Sequence, residues 1–391
     1  MKKYALILSL LILSIANTKA QDGAWNSIIE GPDDYGDVAS LAIINNNILM
    51  GTYTGLYISP VSGGDWQHIL SPTSGSTTLW INSIAGKDNY LYAGTYGNEV
   101  NSALYVSTDN GNSWDQTFKG DTVISLVIKE ANPNIIFAGT MSNGVYFSTD
   151  NGSHWVQSAL DSGWIWSLAV KGNNIIAGPD NGGIYVSTND GITWEKTYNS
   201  NSPIYSFATD GTNIYATIFG EGVFISQDDG ITWEKFNSPD LNVRSLAISG
   251  SKIFVGTYNG VFLSTNNGVS WELVGFSTYP IYLLVANDDY IFALPGEQGA
   301  FRAKISDLTS DVNEDGFDLE NNFIYPNPAT DYVNVKNYIG WQYEMHDLLG
   351  HNIKSGFVNS ENINVAKISS GFYTLIFSKE GQQVIQKFIK N

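Results

Sequence analysis

The stretch that decides the fold is the octapeptide Ser148-Thr-Asp-Asn-Gly-Ser-His-Trp155, because the chain repeats its pattern at a nearly constant spacing. From Trp114 to Trp271 the tryptophan that ends each copy recurs after 41, 39, 39 and 38 residues. A period of about 40 residues is typical of four short strands per repeat in a radial array of sheets. The other copies are Ser107–Trp114, Ser187–Trp194, Ser226–Trp233 and Ser264–Trp271, with a decayed one at Ser59–Trp66.

An apolar run containing a small polar residue opens each repeat. A second strand, a glycine-rich turn and a third strand follow it, and the octapeptide then leads into a fourth strand. Strands that are this short and evenly spaced, with Asn, Asp and Gly between them, predict a β-propeller. The runs number seven and predict seven blades in an all-β fold: Val38–Ile44, Ile81–Ala85, Val123–Ile128, Ile165–Val170, Ile204–Ala208, Val243–Ile248 and Ile281–Ala286.

The two ends of the repeat region complement each other. The seventh repeat ends at Phe301–Ile305 without an octapeptide, whereas Asp22-Gly-Ala-Trp25 reproduces the end of the pattern 41 residues before Trp66. An open ring would leave an unpaired strand edge, which proteins avoid. We therefore expect the strand that starts at Trp25 to complete the blade that contains Phe301.

Composition excludes several classes of function. The 391 residues are 43% hydrophobic and 13% aromatic, which argues against disorder. A formal charge of −19 with 38 acidic and 19 basic residues disfavours nucleic acid as a partner. The chain has no cysteine and four scattered histidines, so we expect neither thiol chemistry, nor a metal site, nor a cofactor.

The N-terminal residues 1–20 have the pattern of a secretory signal peptide. Lys2 and Lys3 precede an apolar run, and small and polar residues lead to Ala20. The run is shorter than the ~20 residues that span a bilayer, and no later stretch reaches that length, so no transmembrane segment is expected. The sequence predicts export, with passage through the periplasm.

Charge divides the rest of the chain near residue 321. Residues 21–321 contain 10 basic and 33 acidic residues, whereas residues 322–391 contain 6 and 5. We expect a propeller over 21–305, an acidic linker over 306–321 and a second domain over 322–391. Asp311, Asn313, Asp315 and Gly316 fit positions of a calcium loop, but Asn322 replaces its bidentate Glu. A solvated linker is favoured, and calcium binding stays open.

The octapeptides resemble the Asp-box (BNR) repeats of sialidase-like propellers and of photosystem assembly-factor-like proteins, over about residues 22–305. This resemblance implies that each box lies in the turn between the third and fourth strands, away from the binding face. The residues themselves favour a structural role for the box. Asp150 can accept amide N–H groups of its own turn, Gly152 can adopt positive φ, and Trp155 can pack between blades.

The tail has its own motifs. They are Tyr325-Pro-Asn-Pro, Asp347-Leu-Leu-Gly350, Gly371-Phe-Tyr-Thr-Leu375 and the basic end Lys387-Phe-Ile-Lys390. Alternation and turns predict a small β-sandwich. The tail resembles the type A C-terminal sorting domain of type IX secretion cargo in the Bacteroidetes. That implies delivery to the outer-membrane surface or the medium, with the secretion machinery as a partner; an ordinary adhesion module is the alternative.

Arginine content excludes one enzyme class. A sialidase-type site holds its substrate carboxylate with three arginines, and this chain has only Arg244 and Arg302. A glycoside hydrolase needs two facing carboxylates, and this alternative stays open without a predicted catalytic residue. Candidate acids on the expected binding face are Asp37, Glu99, Asp121, Asp161, Asp180, Glu221 and Glu297.

Aromatic residues favour a binding function. Corresponding turns and the starts of inner strands hold aromatic side chains, which stack on sugars or anchor protein contacts. The alternative is that about half of these side chains pack between blades, and Trp166, between Ile165 and Ser167, is the first candidate for the core. Met141 occupies one of the turn positions. We predict a non-catalytic secreted or cell-surface propeller that binds glycan or protein through a face rimmed by Tyr53, Trp80, Tyr96, Trp164, Tyr205, Phe219, Arg244, Tyr258 and Tyr282.

Overall fold

A computed structural model of the chain divides it into two compact units, the first ending at Thr309 and the second beginning at Ser310. The predicted signal peptide and the predicted calcium positions lie outside the described residues. Among the ranges described, no helix is long and apolar enough to cross a membrane. The structure describes residues 23–28, 38–72, 78–96, 102–161, 163–296, 298–309, 329–335, 338–347, 351–379 and 382–390.

The first unit consists of seven four-stranded antiparallel sheets, called blades I to VII. The first strands of neighbouring blades contact each other around a closed ring that includes blades VII and I, so these strands are innermost. The predicted seven-bladed propeller is confirmed. The strands are, in blade I, β2 (Val38–Ile44), β3 (Asn47–Thr52), β4 (Gly55–Pro60) and β5 (Gln67–Leu70); in blade II, β6 (Trp80–Lys87), β7 (Tyr90–Tyr96), β8 (Ala103–Ser107) and β9 (Asp115–Lys119); in blade III, β10 (Val123–Ile128), β11 (Ile136–Thr140), β12 (Val145–Ser148) and β13 (Val156–Gln157); in blade IV, β14 (Ile165–Lys171), β15 (Asn174–Pro179), β16 (Ile184–Ser187) and β17 (Glu195–Tyr198); in blade V, β18 (Ile204–Thr209), β19 (Ile214–Ile218), β20 (Gly222–Ser226) and β21 (Glu234–Phe236); in blade VI, β22 (Val243–Ser249), β23 (Lys252–Thr257), β24 (Gly260–Ser264) and β25 (Glu272–Gly275); and in blade VII, β26 (Ile281–Ala286), β27 (Tyr290–Pro295), β28 (Phe301–Lys304) and β1 (Asn26–Ser27).

Blade VII is completed by the first strand of the chain, as the sequence predicts. β1 pairs antiparallel with β28, with Asn26 opposite Arg302. The preceding residue, Trp25, is only 6% exposed and donates its indole N–H to the Val274 carbonyl of blade VI at 2.8 Å. Its ring centre lies 5.0 Å from that of Phe276. The ring is therefore closed by residues far apart in the sequence.

A serine near the start of the inner strand ties each of several blades to the next. Ser125 Oγ donates to the Ile165 carbonyl at 2.8 Å. Gly139 on the adjacent strand leaves room for this bond, since a Cβ there would lie 2.2 Å from Ser125 Oγ. In blade V, Thr217 replaces the glycine, and Ser206 forms no such bond to any described residue. Corresponding bonds are made by Ser40, Ser83 and Ser167.

The Asp-box turns are held by their own side chains. Asp150 Oδ1 accepts hydrogen bonds from the Ser148 hydroxyl at 2.8 Å and the His154 backbone N–H at 2.9 Å. Gly152 has φ of 82° and donates its N–H to Ser148 Oγ. Trp155 packs with apolar residues of blades II and III. The box thus has the structural role predicted for it.

Asparagine replaces aspartate in two boxes without loss of the turn bonds. Asn189 Oδ1 accepts the Thr193 backbone N–H at 2.9 Å, and Asn266 Oδ1 accepts that of Ser270 at the same distance. The amide oxygen serves as well as a carboxylate oxygen here. Charge is therefore not what these turns require.

A short helix, α1 (Ile305–Thr309), ends the first unit. Ile305 is buried and Leu308 packs against the core cluster of blades VI and VII. The linker was expected to begin at residue 306, but the helix assigns residues 306–309 to the propeller unit. Packing against this core removes the apolar side chains of the helix from water.

The second unit is also all-β. β30 (Gln342–His346) and β33 (Gly371–Lys379) are the central strands of a four-stranded sheet, with β31 (Asn352–Phe357) and β34 (Gln382–Lys390) at its edges. β29 (Tyr332–Asn334) pairs separately with β32 (Asn362–Asn364), and both sheets contribute to one apolar core. The description of this unit as a sandwich stays a prediction.

Candidate functional site

A β-bulge in each inner strand shapes one face of the propeller. In every blade the pairing with the second strand shifts by one residue at the same place. In blade IV, Ile165 and Ser167 are buried while Trp166 between them is half-buried. A bulge redirects the extra side chain out of the strand's normal alternation. The seven bulge residues, in ring order, are Ala39, Asn82, Ile124, Trp166, Tyr205, Arg244 and Tyr282.

Four consecutive bulge residues touch one another across blades IV to VII. The rings of Trp166 and Tyr205 have centres 5.7 Å apart. Arg244 Cζ lies 4.7 Å from the ring centres of both Tyr205 and Tyr282. One half of the ring thus carries aromatic and cationic groups, and the other half carries small or aliphatic ones.

Residues outside the bulge positions extend this row. Trp164 contacts Trp166 edge to face with centres 5.4 Å apart. Phe219, in the turn between the second and third strands of blade V, lies 5.9 Å from Tyr205 and 6.1 Å from Tyr258 of blade VI. Tyr205 therefore lies at the centre of this row of contacts. We call Trp164, Trp166, Tyr205, Phe219, Arg244, Tyr258 and Tyr282 together the aromatic arc.

The neighbours of Tyr205 change the pKa of its hydroxyl group. Burial raises the pKa of Tyr205 above its ordinary value, Arg244 opposes this, and Tyr258 and Asp180 add to it. Beside it, Trp166 donates its indole N–H to Asp180 Oδ1 at 2.7 Å. These contacts hold the rings of the arc before any ligand arrives.

A second, smaller cluster lies on blades I and II. Trp80 contacts Tyr53 and Tyr96 with ring centres 5.5 and 5.3 Å apart. The indole N–H of Trp80 is buried without a hydrogen-bond partner among the described residues. Ile124 and Met141 of blade III, which carry no ring, occupy the corresponding positions between this cluster and the arc.

The structure brings all nine sequence-predicted binding residues into these two clusters. Exposure of Tyr53, Tyr96, Trp164, Tyr258 and Tyr282 lies between 39% and 46%, so their rings are held yet accessible. Trp166, the first candidate for the core, does not lie there. Its neighbours are in the core, but the bulge turns Trp166 itself to the face, where it links Trp164 to Tyr205.

Three of the candidate acids hold loops together. Buried Asp121 accepts both the backbone N–H and the side-chain N–H of Asn143, at 3.0 and 2.8 Å. Glu221 accepts hydroxyl hydrogens from Tyr198 and Ser200, and Asp180 accepts from Trp166, as described above. Asp161 is exposed. Asp37, Glu99 and Glu297 lie outside the described residues.

Two cavities of the propeller lie away from the arc. One of about 290 Å³ lies where β1 meets blade I and is lined by residues such as Trp66 and Arg302. Another of about 100 Å³ is lined by residues including Tyr92 and Asn151. Within the described ranges, no group of three or more His, Asp or Glu side chains could hold a metal ion.

Family models match both parts of the chain. The BNR/Asp-box repeat matches residues 185–196 and 224–235, and the secretion system C-terminal sorting domain matches residues 323–391. The chain is an Asp-box β-propeller with a type IX sorting tail. It is therefore a protein that the type IX system exports to the cell surface or the medium. No curated protein matches the sequence.

Solved structures resemble this Asp-box propeller at low identity. YCF48 bound to D1 peptide is 15% identical with a TM-score of 0.57, and the match covers 72% of this chain and 97% of that one. The GH74 enzyme of Niastella koreensis is 16% identical with a TM-score of 0.59, covering 93% and 67%. The extracellular domain of the hybrid two-component system BT4673 from B. thetaiotaomicron is 16% identical with a TM-score of 0.58, covering 92% and 47%. At such identities the likeness shows the fold alone.

Proposed function

We propose that the propeller is a non-catalytic binding module that takes a glycan or protein ligand on the aromatic arc. The observation that carries this proposal is the unbroken row of ring contacts from Trp164 through Tyr205 to Tyr258, joined to Tyr282 by Arg244. Aromatic rings that are already packed lose little entropy on binding and present large flat contact areas. The cluster of Tyr53, Trp80 and Tyr96 would serve as a second contact.

The acids of this face support a role without catalysis. A glycoside hydrolase needs one carboxyl group free to donate a proton and another free to attack or to activate water. Asp121, Asp180 and Glu221 accept hydrogen bonds that hold their own loops and rings. These carboxylates are therefore already engaged in structural bonds within the protein. Turnover of an oligosaccharide would favour the enzyme alternative.

Similar propellers supply precedents of two kinds. The YCF48 structure holds a peptide, and the GH74 structure is that of an enzyme. Neither ligand nor reaction transfers at 15–16% identity. The arc must therefore be tested by itself.

Export follows from the tail, and its route is part of the proposal. We infer that residues 1–20 direct the chain to the periplasm and that the secretion machinery then recognises the tail. The propeller would act at the outer-membrane surface or in the medium. Its ligand would then be extracellular.

Arrays of glycans and of peptides, probed with the full chain, test the proposed function. Trp164→Ala and Tyr258→Ala should each weaken binding by about 10-fold or more, since a buried aromatic contact contributes roughly 1–3 kcal/mol. Ile192→Ala is the matched control, because Ile192 is 66% exposed in an Asp-box turn and outside the arc. Binding that is unchanged in both arc variants would refute the proposal.

A further inference from the structure

Arg244 is held between two aromatic rings. It is one of two arginines in the sequence and occupies the bulge position of blade VI. Its Cζ lies 4.7 Å from the ring centres of Tyr205 on blade V and Tyr282 on blade VII. Cation–π contacts of this kind restrict the plane of the guanidinium group. They leave its N–H donors, which lie in that plane, for other partners.

Those donors have no partner in the described part of the protein. No carboxylate lies within ion-pair distance of Arg244 there, and no hydrogen bond joins its side chain to a described residue. Arg302 differs, since it donates to the Val61 carbonyl at 2.7 Å. Asp180, whose charge acts on Tyr205, accepts the indole N–H of Trp166 at Oδ1. A planar fork with free donors matches a carboxylate, which accepts two parallel N–H bonds.

The surroundings of Arg244 suit a sugar better than a peptide. Peptide anchors bury side chains in apolar pockets. Tyr258 and Tyr282 are 42% and 46% exposed, so their rings are accessible as flat surfaces that a pyranose can cover. We propose that the arc binds a glycan that contains uronic acid, with the uronate carboxylate on Arg244 and neighbouring sugars on the tyrosines. This inference rests on the proposed function and specifies its ligand.

The charge of the propeller restricts the glycan further. Residues 21–309 carry 28 acids against 10 bases, and Arg244 is the single cation in the arc. Arg244 compensates one carboxylate, but each additional carboxylate of a polyuronate adds negative charge to a protein that is already strongly acidic, and this repulsion acts over about a Debye length of 8 Å. The site therefore favours isolated uronic acids among neutral sugars over a uniform polyuronate.

An array of uronate-containing oligosaccharides tests this inference with the full chain. Each glycan is paired with its carboxyl-reduced form, and oligogalacturonate represents the uniform polyanion. We expect binding to a glycan with spaced uronates, with a Kd about 10- to 100-fold weaker for the reduced form. Arg244→Gln should cause the same loss on the acidic glycan and no change on the reduced one. The affinity of Arg244→Lys for the acidic glycan should lie between those of the wild type and Arg244→Gln, since lysine keeps the positive charge but cannot donate two parallel N–H bonds.

Lys235→Gln removes one exposed positive charge from β21 of blade V and should leave binding unchanged. Equal affinity for acidic and reduced glycans, or wild-type affinity in Arg244→Gln, would overturn the assignment of Arg244. Capture of peptides with no acidic glycan, or no binding to any uronate glycan, would overturn the ligand class. The proposed function fails separately, if both Trp164→Ala and Tyr258→Ala bind every ligand as the wild type does.

Discussion

Replacing Trp25 by alanine removes the side chain that closes the ring. Trp25 is 6% exposed, and Gly275 fits so closely that a Cβ there would lie 2.4 Å from the indole nitrogen. Neighbours held this tightly cannot collapse into the space, and truncating a buried tryptophan costs about 3–5 kcal/mol. The Val274 carbonyl also loses its N–H partner, at about 1–3 kcal/mol. Because these two losses overlap, we expect the free energy of unfolding to fall by about 4–6 kcal/mol.

Equilibrium unfolding of the full chain in urea, followed by circular dichroism, measures this change. Trp25→Phe keeps most of the buried ring and loses the N–H, so it should cost only about 1–3 kcal/mol. Trp155→Ala is the matched control, a half-buried box tryptophan whose indole bonds to Gly152 in its own turn and to Thr117. Its loss should be smaller, about 2–3 kcal/mol.

Trp25→Ala should also destabilise the propeller more than Trp155→Ala does. Trp25 joins residues 249 positions apart, whereas Trp155 bonds to residues 3 and 38 positions away. If Trp25→Ala cost less than about 1 kcal/mol, or no more than Trp155→Ala, the first strand would not be what closes the propeller.

Three further outcomes follow from the structure. Ser125→Ala should cost about 1–2 kcal/mol in urea unfolding because the Ile165 carbonyl loses its bond, whereas Ser206→Ala, which breaks no such bond, should stay within about 0.5 kcal/mol; equal costs would contradict the inter-blade role. The pKa of Asp150 is lowered from 3.8 to about 2, first by the side-chain and backbone hydrogen bonds of His154, so its stabilisation is present above pH 3.8 and lost as pH falls toward 2. Asp150→Asn should flatten that part of the stability–pH curve, and an unchanged acid slope would count against the assignment. Residues 310–391, fused to a foreign periplasmic protein in a type IX-competent host, should bring it to the surface or the medium, and retention in the periplasm, read by fractionation, would argue against sorting by this tail.

Repeats made the fold predictable because each blade satisfies the same local rules. The Asp-box holds its turn through bonds within five residues, as between Ser148 and Gly152. The serine and glycine pair, as in Ser125 and Gly139, recurs as well, because the serine bonds to the inner strand of the next blade and each blade repeats the same strand pattern. Such constraints appear in the sequence as a period, and the period predicts blade number and closure.

The candidate site was predictable only in part. Aligning the repeats placed the nine binding residues at corresponding positions, and all nine lie in the two clusters. The position of Trp166 could not be inferred from its neighbours Ile165 and Ser167, because the bulge makes Trp166 an extra residue without a partner in the second strand. The stacking of Arg244 between Tyr205 and Tyr282 could not be inferred, since it joins side chains from three blades.

By itself, the sequence determined the seven blades, the strand that closes them, the turn chemistry and the exported tail, because these depend on bonds local to one repeat or on a pattern that recurs. Only the tertiary structure decided which side chains meet on the face. Four bulged strands arranged around one axis bring together Trp166, Tyr205, Arg244 and Tyr282. These residues are about 40 positions apart in the sequence, and such a separation does not predict the distance between their side chains.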